Sequence, residues 1–177
     1  KLTLMKTSAD SLKKSADALN DSSLWEKKKI KKKDEKTGEE IEVEDYDWDK
    51  ITKAVKSFVE DYNDVVKEAG ESNTKDVLRN ASWMTGMTDK NSNMLAKIGI
   101  TIGKGNKLEL DEDALKQAYI SSLKTVFTGY NSFVSKISQK ATGISNAANR
   151  ASATYTNNGT YSKTDSSLTS SKIDKEV

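Results

Sequence analysis

The chain has 177 residues, 34% of them hydrophobic and 32% charged, with 29 basic against 27 acidic side chains and a formal net charge of +2. That near-balance excludes a global pull toward nucleic acid or anionic membrane. The low apolar content points to an elongated helical arrangement rather than a large globular core. Cys, His and Pro are absent, which removes disulfides, the thiolate nucleophile, the commonest metal ligand and the usual general base, and lets long helices run unbroken.

The chain starts at Lys1 rather than Met and reads as a fragment or processed form. No signal peptide stands at this end and no apolar run is long enough to span a membrane, so membrane insertion is not expected and any export signal is expected outside this sequence. Met5, Ala9, Leu12, Ala16 and Leu19 follow a 4-3-4-3 spacing, which predicts a helix over residues 3–20 with one narrow stripe, half of a coiled coil.

Lys27–Lys33 reads KKKIKKK, and 39–49 is dominated by acids, with DEKTG between as a turn signal. Folding the arms about that turn puts Lys33 opposite Glu40, Lys31 opposite Glu42, Lys29 opposite Glu44, Lys28 opposite Asp45, Ile30 opposite Val43 and Trp25 opposite Trp48. Opposite charges across an antiparallel pair contribute about 0.2–1 kcal/mol each, but a lone hairpin is marginal in water. An ordered hairpin and a mobile charged loop both remain open. A nucleic-acid or lipid patch is the weaker reading of the lysines: the neighbouring acids neutralise them, and Arg79 and Arg150 are the only arginines.

Asp47 is placed to cap a helix whose stripe is Ile51, Ala54, Val55, Phe58, Val59, Tyr62, Val65, Val66 and Ala69, ending at Gly70. Asn73 or Thr74 starts the next, with Val77, Leu78, Ala81, Met84, Met87, Met94, Leu95 and Ile98 on its inner face. Trp83 falls off that stripe and is either exposed or set against a neighbouring element or subunit. Residues 100–102 and 107–110 are short strand candidates about GKGN. Asp111 caps the following helix, with acids in its first turn. GKG is too short for a phosphate loop, and Asp111–Asp113 lacks calcium-loop spacing.

From Val126 the small and apolar positions run Tyr130, Phe133, Ile137, Ala141, Ile144, Ala148, Ala151 and Tyr155. They predict a long helix with an alanine-rich seam that pairs with the N-terminal helix. Residues 156–177 are Ser, Thr, Asn and Lys rich and predict a polar tail, disordered in isolation.

No catalytic, cofactor-binding or metal-binding residues can be singled out, and no cofactor is implied. A carboxylate pair is the one enzymatic alternative, and nothing selects such a pair from the 27 acids. The reading is therefore not an enzyme.

Lys53–Val66, KAVKSFVEDYNDVV, resembles the helix that opens the C-terminal part of the flagellar filament cap family (hook-associated protein 2). Further on, that family carries a unit matched here by Leu95, Ile98, Gly99 and Ile100, then Gly105, Leu108, Leu110, Asp111, Glu112, Leu115 and Ala118, followed by Lys124, Val126 and Phe127. The resemblance covers residues 48–127. It implies an exported, extracellular protein of the bacterial flagellum that forms a ring at the filament tip, promotes flagellin incorporation and docks through terminal coiled-coil helices. The large outer domains of that family are not evident, and the charged segment 27–49 is outside its pattern.

The expected fold is mainly α. It is an elongated helical bundle over residues 1–155 with paired terminal helices, a short β-hairpin near 100–110 and a candidate charged hairpin near 25–48. The expected assembly seam is Met5, Leu12, Leu19, Ile137, Ile144 and Ala148, serving a homo-oligomer and contact with flagellin-like partners. The rival reading is a secreted or surface-exposed, adhesin-like interaction module with the charged hairpin and Trp25, Trp48 and Trp83 as contact points.

Overall fold

Spacing of apolar residues at three and four builds most of what is seen. The computed structural model describes residues 1–157, so the predicted polar tail lies outside the described residues apart from the helical backbone of 156 and 157. The chain is mainly α-helical, with two small antiparallel hairpins among the described residues.

Helix α1 (Leu2–Leu19) buries Met5, Ala9, Leu12, Ala16 and Leu19, the predicted stripe. Strands β1 (Lys28–Lys33) and β2 (Glu40–Asp45) form the charged hairpin. Its register is the one that opposes charges: Lys28 with Asp45, Lys29 with Glu44, Ile30 with Val43, Lys31 with Glu42 and Lys33 with Glu40. The ladder stops there, and Trp25 does not reach Trp48 across it. Trp25 sits instead in a 3₁₀ turn (Ser22–Trp25), buried to 1% exposure. Its indole Nε1 donates to the Leu19 carbonyl at 2.7 Å, and its ring stacks on Phe127 at 5.6 Å. A buried indole needs an acceptor, and the end of α1 supplies one.

Helix α2 (Trp48–Gly70) starts at Asp47, whose carboxylate accepts from the Lys50 amide at 3.2 Å. Its buried face carries Ile51, Val55, Phe58, Val59, Tyr62, Val65 and Ala69. Helix α3 (Lys75–Lys90) follows, and a short α4 (Ser92–Ala96) is separated from it at Asn91. The predicted single helix is interrupted there, at a position where the Asn91 side chain donates to the Met87 carbonyl at 2.9 Å. Leu78, expected inside, is 40% exposed. The inner stripe of α3 is Val77, Ala81, Met84 and Thr88, and one residue's rotation carries Leu78 off it.

Strands β3 (Ile100–Ile102) and β4 (Leu108–Leu110) make the second hairpin. Gly99, at φ +89°, opens it, and the Asp111 amide donates back to the Gly99 carbonyl at 2.8 Å. Asp111 then caps α5 (Glu112–Gln117) by accepting from the Ala114 amide at 3.1 Å. Asn63 of α2 fastens β4 from outside: its amide donates to the Leu108 carbonyl at 2.9 Å and its oxygen accepts from the Leu108 amide at 2.7 Å.

Helix α6 (Ile120–Phe127) leads to α7 (Phe133–Asn157). The predicted helix running on from Val126 is corrected here. Thr128 is extended and Gly129 has φ +103°, so α6 ends and α7 begins anew. Tyr130, assigned to the seam, is 84% exposed in the turn between them. Asn20, just past α1, grips Gly129 through both backbone groups, at 3.2 and 2.9 Å.

The core sits where α1, α2, α3, α6 and α7 meet. Phe58 lies at its centre, with its ring edge-on to Phe127 at 6.4 Å and to Phe133 at 6.3 Å.

Candidate assembly and partner-binding surfaces

All six expected seam residues lie on the two terminal helices. Met5, Leu12 and Leu19 of α1 and Ile137, Ile144 and Ala148 of α7 are each 2% exposed or less. They are buried within one chain, where α1 and α7 pack antiparallel, so their side chains are spent on the fold itself.

Sequence reasoning missed the polar contacts that flank this seam. Lys6 and Ser145 both donate to the Asp10 carboxylate, at 2.7 and 2.6 Å. One heptad along, Lys13 and Ser138 donate in the same way to Asp17, at 2.6 and 2.7 Å. Each clasp joins an i,i+4 ion pair on α1 to a hydroxyl on α7, and the repeat of seven was readable in the sequence as Lys6/Lys13, Asp10/Asp17 and Ser138/Ser145. The Lys6 and Ser145 bonds hold the Asp10 carboxyl below its ordinary range. For Asp17, burial is the largest single influence and pushes upward, but the Lys13 and Ser138 bonds together outweigh it and leave this carboxyl low as well.

On the other side of α1, Asp61 of α2 is pushed up. Burial is the main cause, the Ser15 hydroxyl partly counters it, and the neighbouring Asp64 and Glu60 charges add to it. Burial also pushes the Tyr62 phenol up to about 12, although Thr88 is 2.8 Å from its hydroxyl.

The three tryptophans separate. Trp25 is internal and its ring is withdrawn from any partner in this arrangement. Trp48 is half-buried, with its ring edge-on to Tyr46 at 6.1 Å. Trp83 is 50% exposed on α3, and the Lys140 ammonium of α7 lies 4.0 Å from the ring centroid. A cation over an indole face contributes about 0.5–1 kcal/mol at an exposed site, so this ring is held in place while half of it meets solvent. Nearby, Asn80 packs on Gly143, where an added Cβ would lie 2.7 Å from the Asn80 Oδ1. The glycine of α7 thus leaves room for the Asn80 side chain of α3.

The charged hairpin has two unlike faces. Lys29, Lys31, Lys33, Glu40, Glu42 and Glu44 are all exposed, whereas Lys28, Ile30, Val43 and Asp45 are half-buried. Lys32 reaches Asp45 at 2.7 Å on that second face. Asp111, considered as a cation ligand, is occupied as a helix cap. Among the described residues no group of three or more acidic side chains is placed to hold a metal ion, and no helix is long and apolar enough to cross a membrane.

Comparison with known proteins gives one result. Residues 72–176, more than half of the chain, match the family described as flagellar hook-associated protein 2 C-terminus. No curated protein and no solved structure matches significantly. The matched region takes in the β3–β4 hairpin, α5 and α6, where the 95–127 motif lies, and begins after the α2 helix that carries FVEDYN. The chain therefore belongs to the flagellar hook-associated protein 2 family, of which it carries the C-terminal part.

Proposed function

We propose that the chain is a structural assembly component of the bacterial flagellum, acting like a filament cap outside the cell, by helix–helix association with itself and contact with flagellin-type subunits. The observation that carries this reading is the family match over residues 72–176. The absence of Cys and His and the paired terminal helices agree with a protein that works by packing rather than by chemistry. Because the six seam residues are consumed within one chain, contact with other subunits falls to the outward faces of α1 and α7. There the exposed side chains include Leu4, Ser11, Gln139, Asn146 and Asn149. Immunogold labelling of the native protein on its source cells tests the proposal. Label concentrated at filament tips is the expected outcome; label scattered over the cell surface or found only in the medium overturns it.

A second reading, a surface interaction module, is favoured by the half-exposed Trp83 and the exposed charged hairpin. Replacing the six lysines of 27–33 with Ser separates the two. Loss of partner binding with assembly intact favours the module; loss of assembly, or no change in binding, counts against it.

A further inference from the structure

We infer that the edge of β1 left unpaired among the described residues is a docking strand for an extended acidic segment of a partner protein, which joins the charged hairpin as a third strand. The inference rests on the hairpin alone and is independent of the flagellar role.

The backbone fixes which groups are available. The Asp34 amide donates to the Glu39 carbonyl at 2.7 Å, so positions 34 and 39 stand at a hydrogen-bonded pair of the ladder. Antiparallel ladders alternate bonded and non-bonded pairs. In the observed register the bonded pairs are therefore Lys32 with Ile41, Ile30 with Val43 and Lys28 with Asp45. Lys29, Lys31 and Lys33 point their N–H and C=O groups away from β2, to the open edge of β1. The matching groups on the open edge of β2 belong to Glu40, Glu42 and Glu44.

Charge then selects the occupant. The three residues that would bond a strand added to β1 are all lysines with exposed side chains. In a bonded antiparallel pair the residue opposite each lysine lies on the same face, within reach of its ammonium. An incoming strand with acids at alternate positions is complementary, and one with lysines is repelled. The inner edge of β1 already shows the fit, since β2 brings Glu40, Glu42 and Glu44 opposite Lys33, Lys31 and Lys29. A second β1 is refused for the same reason, so lysines that deter self-pairing of this edge leave it open to an acidic strand. Backbone bonds supply the attachment and alternate side chains the selectivity, as in other cases of strand addition.

The test uses the full chain and a synthetic peptide with the sequence of residues 39–46, EEIEVEDY, as the acidic probe. Titration followed by amide NMR is expected to shift Lys29, Lys31 and Lys33 and to weaken with added salt. The decisive variant is Lys31→Pro. Its missing N–H faces outward, so the β1–β2 ladder tolerates it, while the central bond to an added strand is lost. Binding should fall at least tenfold with the Ile30 and Lys32 amides still protected. A scrambled peptide of the same composition should also bind at least tenfold more weakly. Equal binding of the Lys31→Pro variant or of the scrambled peptide would mean diffuse charge attraction and overturn the proposal. So would absence of any shift at the three lysines. Self-association without peptide that Lys31→Pro dissolves would overturn it too, by making the occupant a second copy's β2.

Discussion

Asp10 and Asp17 do the same work one heptad apart, each joining a lysine of its own helix to a serine of α7. Both sides of each ion pair are about half exposed, so solvent screening keeps each clasp at roughly 0.5–1 kcal/mol. Replacing both aspartates with Ala should lower stability by about 1–2 kcal/mol in urea unfolding at pH 7. Both carboxyls lie below their ordinary range in the fold. Their contribution is therefore complete above the unfolded carboxyl range and is lost as pH falls through the lowered folded values. The gap between wild type and the double variant should close in acid; a gap that persists at pH 2 would assign the loss to packing instead. Asp61 has the opposite sign. Its raised folded pKa means that ionisation works against the fold, a penalty present at neutral pH and relieved as pH falls. Asp61→Asn should be neutral or stabilising by roughly 0.5 kcal/mol at pH 7, and a clear drop in its urea midpoint would show that the charge is needed.

At the level of elements, the hairpins show what a sequence discloses and what it withholds. The register of β1 and β2 was legible because the DEKTG turn fixes the centre, and that centring sets Lys33, Lys31 and Lys29 opposite Glu40, Glu42 and Glu44 and Ile30 opposite Val43. The pairing of Trp25 with Trp48 failed because the indole found its acceptor in Leu19 and its stacking partner in Phe127, the latter far away in the chain. Helix existence was legible from period, and so were the ends marked by Asp47, Gly70 and Asp111; the breaks inside predicted helices were not. The breaks at Asn91 and Gly129 interrupt stretches whose apolar spacing continues, and at each an asparagine side chain bonds backbone, locally at Met87 and across the fold from Asn20. Gly99 is a sharper case, because two demands meet on it. Its φ is +89°, and a Cβ there would stand 2.7 Å from the Asp111 carbonyl oxygen. Gly105 has φ +66° but open space around it. Gly99→Ala should therefore cost about 2–3 kcal/mol and loosen the β3–β4 hairpin, whereas Gly105→Ala should cost only about 1–2 kcal/mol for its backbone conformation. Thermal melts of the two variants compare them directly, and equal losses would mean that the contact with Asp111 relaxes away.

Across the whole molecule, α7 is the element on which the others depend. It packs antiparallel to α1 through Ser138 and Ser145 and lies against α3 through Lys140, Gly143 and Arg150, the last 3.8 Å from Asp76. Its Phe133 meets Phe58 of α2. Terminal pairing was legible from the two alanine-bearing seams, but the role of α3 was not, since Asn80 and Trp83 lie off the apolar stripe of that helix. Ile144 is fully buried in the α1–α7 seam. Ile144→Asp would place a carboxylate there without a partner, a change that costs about 3–5 kcal/mol, against a total stability of about 5–15 kcal/mol for an ordinary domain. The damage should not stay at the termini. The Trp25 indole is bonded to Leu19, the last residue of α1, and stacked on Phe127 of α6. Separation of α1 from α7 therefore pulls on the aromatic core as well. Far-UV circular dichroism and tryptophan fluorescence of Ile144→Asp should report one coincident transition at a lowered midpoint, with Gln139→Asp on the exposed face of α7 unchanged from wild type. An Ile144→Asp variant with wild-type helicity and melting temperature would show that pairing of the termini does not hold this fold together. Two separated transitions would show that the terminal pair and the aromatic core melt as independent units.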